Sequence, residues 1–114
     1  MSHHVSFKHA LDGLKHAFLT QPNFRIHLVV TGLVLISALI LRLPRLEWLM
    51  LLFAITLVLV AEMVNTSLEA TTDLLAPQHH PQAKIAKDVA AGMVLLTAIL
   101  SVIIGTFIFL PHLK

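Results

Sequence analysis

The chain has 114 residues, 57% of them hydrophobic and 12% charged, with a mean hydropathy of +0.87. A soluble domain carries about 25% charged residues, so the deficit points to a bilayer protein built as one unit. The formal charge of +2 is too small to argue for a nucleic-acid partner, and the absence of cysteine excludes disulfides and thiolate metal sites.

Residues 5–19 predict an amphipathic helix. Phe7, Ala10, Leu11, Leu14, Ala17 and Phe18 share one face at i, i+3, i+4 spacing, and Lys8, His9, Asp12, Lys15 and His16 populate the other. Such a helix suits a membrane surface with anionic headgroups, and it suits a packing partner equally well. His3 and His4 are read as solvated at the terminus rather than as a metal site. No cleavable signal peptide is expected, because the first apolar run lies behind a polar stretch and no small-residue cleavage site follows it. Thr20-Gln21-Pro22-Asn23 breaks the helix, and Pro22 suits the start of the next one, where a missing N–H costs little.

Three apolar spans follow. The first, over 26–43, has Arg25 and Arg42 near its ends. At about 1.5 Å per residue it is slightly short for a ~30 Å hydrocarbon core, and Arg42 can snorkel to extend it. Pro44 and Arg45 mark a turn. The second span begins near Trp48, an interfacial anchor type, and its uncharged part ends at Ala61. Helical periodicity continues to Asp73, so one helix over 48–73 is expected to leave the bilayer with a polar face. Residues 76–82 form a polar loop closed by two prolines, in which His79 and His80 are read as an exposed spacer. A third helix over 84–110 carries the uncharged span 89–110.

The basic residues set the expected orientation. Lys8, Lys15, Arg25, Lys84 and Lys87 fall on one side, and Arg42, Arg45 and Lys114 on the other. The positive-inside rule then puts the N-terminus and the 74–88 loop in the cytoplasm of a bacterial plasma membrane. Five of the six acidic residues, all but Glu47, fall on or near that face, where ATP is available.

The chemistry gathers where the second span ends. Glu62, Asn65, Glu69 and Asp73 lie at i, i+3, i+7 and i+11, within a narrow arc of one helix. Carboxylates are costly near hydrocarbon, so acids at this depth point to function. On the third helix Lys84, Lys87 and Asp88 share roughly one face, and a hairpin brings them toward the acids. Phosphoryl transfer needs cations on the phosphates, a divalent metal, and a base or aligner for the attacking hydroxyl. Glu69 suits Mg²⁺, Lys87 suits the phosphates, and Asn65 suits orientation of either group. Glu62, the deepest acid, suits a base reaching a lipid hydroxyl. Arg25 is expected to join Glu62 in binding the substrate. None of the four glycines belongs to a P-loop, so any ATP use proceeds without that cradle.

The run Glu62-Met-Val-Asn65-Thr-Ser-Leu-Glu69-Ala-Thr-Thr-Asp73 closely resembles the signature of the prokaryotic diacylglycerol kinase family. Gly13-Leu14-Lys15, Asn23-Phe24-Arg25-Ile26-His27 and Ala86-Lys87-Asp88 match it without gaps, so the resemblance covers nearly the whole chain. It implies a single membrane kinase domain over 1–114: three transmembrane helices plus an N-terminal amphipathic surface helix, assembled as a homotrimer with active sites shared between subunits. The implied activity is phosphorylation of a lipid alcohol with MgATP. By the same match Glu62 is the catalytic base, Asn65 and Glu69 line the nucleotide–metal site, and Asp73, Lys87 and Asp88 complete the nucleotide contacts. Where some family members carry a second metal-binding Glu, this chain has Gln21, whose amide can ligate through oxygen with a weaker electrostatic contribution. The family divides between diacylglycerol and undecaprenol as acceptor. The Asn23–His27 run and the Phe7-Lys8-His9-Ala10-Leu11 start look more like the undecaprenol branch. The competing readings are a small multidrug/proton antiporter, which wants an isolated acid at mid-depth, and a noncatalytic membrane assembly subunit, which has no need of Lys87 and Asp88 opposite the acids.

Overall fold

A computed structural model describes residues 3–113, with side chains from residue 6 onward. The side chains of His3 and His4, and Lys114, therefore lie outside the described residues. Four helices follow in order: α1 (His3–Thr20), α2 (Pro22–Leu41), α3 (Arg45–Leu75) and α4 (Pro81–His112). Of these, α2, α3 and α4 are each long and apolar enough to cross a membrane.

Local chemistry sets the helix ends. Gln21 is the extended N-cap of α2, and Pro22 takes its first turn. The helix thus starts before the apolar run at Ile26, because hydropathy marks hydrocarbon and proline marks the helix start. The Arg25 guanidinium reaches back to the last turn of α1, donating to the carbonyls of Phe18 at 2.9 Å and Leu19 at 3.1 Å. A cation on carbonyls that have no helical partner fixes the α1–α2 corner. At the far end of α2, Arg42 adopts a left-handed conformation with φ 54°. Its N–H bonds to the Leu39 carbonyl and the Leu43 N–H to that of Ala38, closing a Schellman turn that Pro44 then prevents from continuing as helix. α4 opens with Pro81, and His80 Nδ1 accepts the Gln82 N–H at 3.1 Å. This loop histidine is an N-cap, a role beyond that of a spacer.

α3 packs most extensively against α4. α3 buries Leu51, Ala54, Val58 and Ala61, at alternating spacings of three and four that form a continuous seam. Alanines in that seam, with Ala90 of α4, permit close helix approach. At the Arg42–Pro44 end, Ala38, Leu43, Leu51 and Ile108 form a small core backed by Trp48 and Phe109. Much of the remaining apolar surface points outward, including Val29, Leu33, Ile40, Leu96, Val102 and Phe107. Hydrocarbon solvates such a surface and water does not.

The 31 residues of α3 span about 46 Å, against a core of about 30 Å. Its last turns therefore project beyond the apolar layer. Because α2, α3 and α4 alternate in direction, α1, the C-terminal turns of α3 and the start of α4 share one end of the molecule. The polar sequence motifs meet there.

Candidate active site

The four polar residues of α3 are sorted by depth. At about 1.5 Å per residue, Glu69 lies about 10 Å beyond Glu62 along the axis, and Asp73 about 6 Å further. Glu62 is 3% exposed, the one buried charged side chain among the described residues. Above it, Asn65 Nδ2 donates to Glu69 Oε1 at 3.1 Å, a bond within one helix turn that ties the amide to the carboxylate. Asp73 faces α4, where Lys87 Nζ meets its Oδ1 at 2.5 Å. Lys84 pairs with Asp88 at 2.6 Å on the exposed side of α4. Asp73, His79, His80, Lys84, Lys87 and Asp88 are among the residues lining an open pocket of about 370 Å³ at this end.

Two buried oxygens at the site, Glu62 Oε1 and Asn65 Oδ1, have no hydrogen-bond partner among the described residues. An unmatched buried acceptor costs about 1–3 kcal/mol and is the kind of group that a ligand, ion or water satisfies. Glu62 Oε1 does have a close neighbour: His27 Nε2 of α2 stands 3.2 Å away. The two are within ion-pair distance but lack the alignment of a hydrogen bond, which reconciles the close approach with the unmatched oxygen.

His27 also closes one end of an apolar groove of about 440 Å³ between α2, α3 and α4. Val34, Ala54, Val58, Thr106 and Phe109 line it, and it extends to Leu113 at the far end of the molecule. A long, greasy channel ending beside a buried carboxylate suits an alkyl or isoprenoid chain with a polar head.

The structure joins Asn65 to Glu69 on α3, with Glu62 deeper on the same helix, and Asp73 to Lys87 across the α3–α4 hairpin. It does not join Gln21 or Arg25 to them. Gln21 Nε2 lies 3.4 Å from Thr20 Oγ1, and Arg25 is engaged with the α1 carbonyls. Neither has a hydrogen bond or ion pair to Glu62 or Glu69. Among the described residues no three acidic or histidine side chains converge as a metal cluster. The oxygens of Asn65 and Glu69 are nonetheless hard donors one turn apart, with Asn65 Oδ1 unmatched. That set fits Mg²⁺, which takes few protein oxygens and completes its shell with phosphate and water.

One expected neighbour and one unexpected one stand beside these residues. Lys84 shares the pocket with Lys87, and His27 touches Glu62. An ionisable side chain one residue inside an apolar span was the available signal for His27. Its partner lies on another helix, and no local pattern reveals that.

Known proteins resemble the chain over most of its length. The family model described as prokaryotic diacylglycerol kinase matches residues 8–109. The chain is 42% identical over 108 residues to the undecaprenol kinase of Bacillus subtilis (strain 168), covering 95% of this chain and 88% of that protein. It is 46% identical over 110 residues to a diacylglycerol kinase of Synechocystis sp., covering 96% of this chain. The match takes in 63% of that relative, so the chain spans less than two thirds of its length. A diacylglycerol kinase of Escherichia coli (strain K12) is 27% identical over 100 residues, 88% of this chain and 82% of that one.

Proposed function

The chain belongs to the prokaryotic diacylglycerol kinase family, as a bacterial membrane lipid kinase with ATP as phosphate donor, and on that premise we propose that Glu62 is the base that activates the lipid hydroxyl. The observation that carries this reading is a 3%-exposed carboxylate beside the end of an apolar groove. The lipid chain occupies the groove, and its hydroxyl stands at Glu62. As the hydroxyl oxygen bonds to the γ-phosphorus of ATP, the bridging bond to the β-phosphate breaks and ADP leaves. The hydroxyl proton passes to the Glu62 carboxylate.

Each remaining residue follows from charge and place. Lys87 and Lys84 neutralise the phosphates, the form of support that a loose phosphoryl-transfer transition state needs. Asp73 and Asp88 hold those lysines and thereby help shape the nucleotide site. Asn65 orients the acceptor side of Glu69. Glu69 and Asn65 would hold Mg²⁺, which when bound supplies positive charge to the β- and γ-phosphate oxygens. Gln21 and Arg25 sit at the α1–α2 corner without a link to Glu69 or Glu62 in their own chain. A homotrimer with shared sites accommodates both, Gln21 as an oxygen ligand to the metal and Arg25 as a lipid contact, each serving a neighbouring copy. α1 lies on the membrane surface through Phe7, Leu11, Leu14 and Phe18, all exposed in the single chain. The site faces the cytoplasm.

Undecaprenol is the favoured acceptor and diacylglycerol the next. The relatives divide between the two names at similar identity, so the preference rests on the Phe7–Leu11 and Asn23–His27 runs. Both of these relatives are kinases, and nothing in the comparisons favours the antiporter alternative. Purified protein in detergent, given radiolabelled ATP, Mg²⁺ and each lipid separately, tests the reading. Faster transfer to undecaprenol is expected. Faster transfer to diacylglycerol overturns the acceptor choice, and transfer to neither lipid by folded protein overturns the proposed acceptor class.

A further inference from the structure

The ionisable side chain beside Glu62 has no task in that mechanism. His27 Nε2 stands 3.2 Å from Glu62 Oε1, and the two side chains are 26% and 3% exposed. The difference in exposure matters to turnover. Once Glu62 has taken the lipid's proton it is a neutral acid, closed off from water, and the next cycle needs the carboxylate again. The side chain beside it is the His27 imidazole, one residue inside the start of the apolar run at Ile26 and at the interface end of the groove.

The surroundings leave that imidazole free for the task. From α3 it faces Glu62. The α4 wall of the groove offers Ser101, Thr106 and apolar side chains, none of them ionisable. On α2 itself the nearest charge in sequence is Arg25, whose guanidinium is turned to the α1 carbonyls. Of the ring nitrogens, Nε2 is the one at Glu62, and an imidazole accepts a proton at one nitrogen when the other already carries one.

We propose that His27 is a positioning residue that acts through Glu62, carrying its proton away after each transfer. The inference rests on Glu62 being the base. In the first step the lipid hydroxyl gives its proton to Glu62 as its oxygen bonds to the γ-phosphorus. In the second, the Glu62 O–H bond breaks and the proton bonds to His27 Nε2, giving carboxylate and imidazolium. In the third, the imidazolium, one residue inside the start of the apolar run at Ile26, releases that proton to water at the membrane interface, and both side chains return to their starting states. One proton leaves per lipid phosphorylated, the one that the hydroxyl gave up.

The test uses the full chain in detergent with MgATP and lipid, comparing the parent with His27→Ala, His27→Gln and Glu62→Gln, with and without added imidazole. His27→Ala is expected to lose about tenfold or more in kcat, below the range of about 10²–10⁴ for a direct acid or base. Its KM for ATP stays at the parent value, and imidazole, which fits the space left by the ring, restores part of the rate. A kcat within about twofold of the parent, or a loss that imidazole leaves unmoved, overturns the proposal. Should His27→Ala fail to fold, His27→Gln decides: it keeps size and polarity but cannot relay a proton. Low kcat at unchanged ATP KM supports the relay, and full activity overturns it. Glu62→Gln separates the two layers. An active Glu62→Gln sinks the base assignment itself, whereas an inert Glu62→Gln beside a fully active His27→Ala sinks only the relay.

Discussion

Two histidine–glutamate pairs stand at opposite ends of the molecule, and their difference is instructive. At the Arg42–Pro44 end, His112 Nε2 meets Glu47 Oε1 at 2.9 Å, a hydrogen-bonded pair with both side chains about a third exposed or less. It joins the first turn of α3 to the last turn of α4 beside a packed apolar core. At the other end, His27 and Glu62 stand at 3.2 Å without hydrogen-bond alignment, on a carboxylate that is buried. The residue types are the same. In the first pair the polar groups satisfy one another near solvent, which is a structural clasp worth little. In the second, a buried oxygen is left unmatched at the end of a groove, which is costly unless a substrate completes it.

This contrast can be broken at several points. Glu62 aside, the largest loss is expected at Lys87: Lys87→Ala should lower kcat/KM for ATP on the order of 10²-fold, as removal of a phosphate-clamping charge does. ATP dependence identical to the parent removes Lys87 from the phosphates. Glu69→Gln comes next. It should shift the Mg²⁺ titration by roughly tenfold or more, since even an outer-shell change costs metal affinity on that scale. A superimposable metal titration counts against Glu69 as ligand. The smallest effect belongs to the clasp. Glu47→Gln should lower stability toward unfolding in detergent by at most about 1 kcal/mol, as partly exposed pairs do, and leave kcat in place. A collapse of activity in this variant would erase the distinction between the two ends.

Much of the architecture was legible from residue pattern alone. Three uncharged runs bounded by Arg25, Arg42, Pro44 and Trp48 read as spans, and the helical period of Glu62, Asn65, Glu69 and Asp73 carried α3 past its apolar stretch. The start of α2 was legible at Pro22, whereas α4 begins at Pro81, before hydropathy rises. His80 looked like loop and serves as a cap, since an N-cap is recognised by its bond to Gln82 rather than by composition. The approach of Lys87 to Asp73 followed from a hairpin of the second and third spans. The His27–Glu62 contact did not follow from any pattern. Their sequence separation carries no period, and only the packing of α2 on α3 brings them together. Conversely, a linear reading grouped Gln21 and Arg25 with the acids, whereas in the single chain both sit at the α1–α2 corner.

The most direct test compares Glu62→Gln with Glu47→Gln in one experiment, measuring labelled-phosphate transfer to lipid and ATP binding on the same preparations. Both substitutions replace the carboxylate of a histidine-paired glutamate by an amide of equal size. Glu62→Gln should lose turnover by about 10²–10⁴-fold with ATP binding retained, and Glu47→Gln should match the parent in both. Turnover by Glu62→Gln at the level of Glu47→Gln would contradict the assignment of the buried carboxylate as the base.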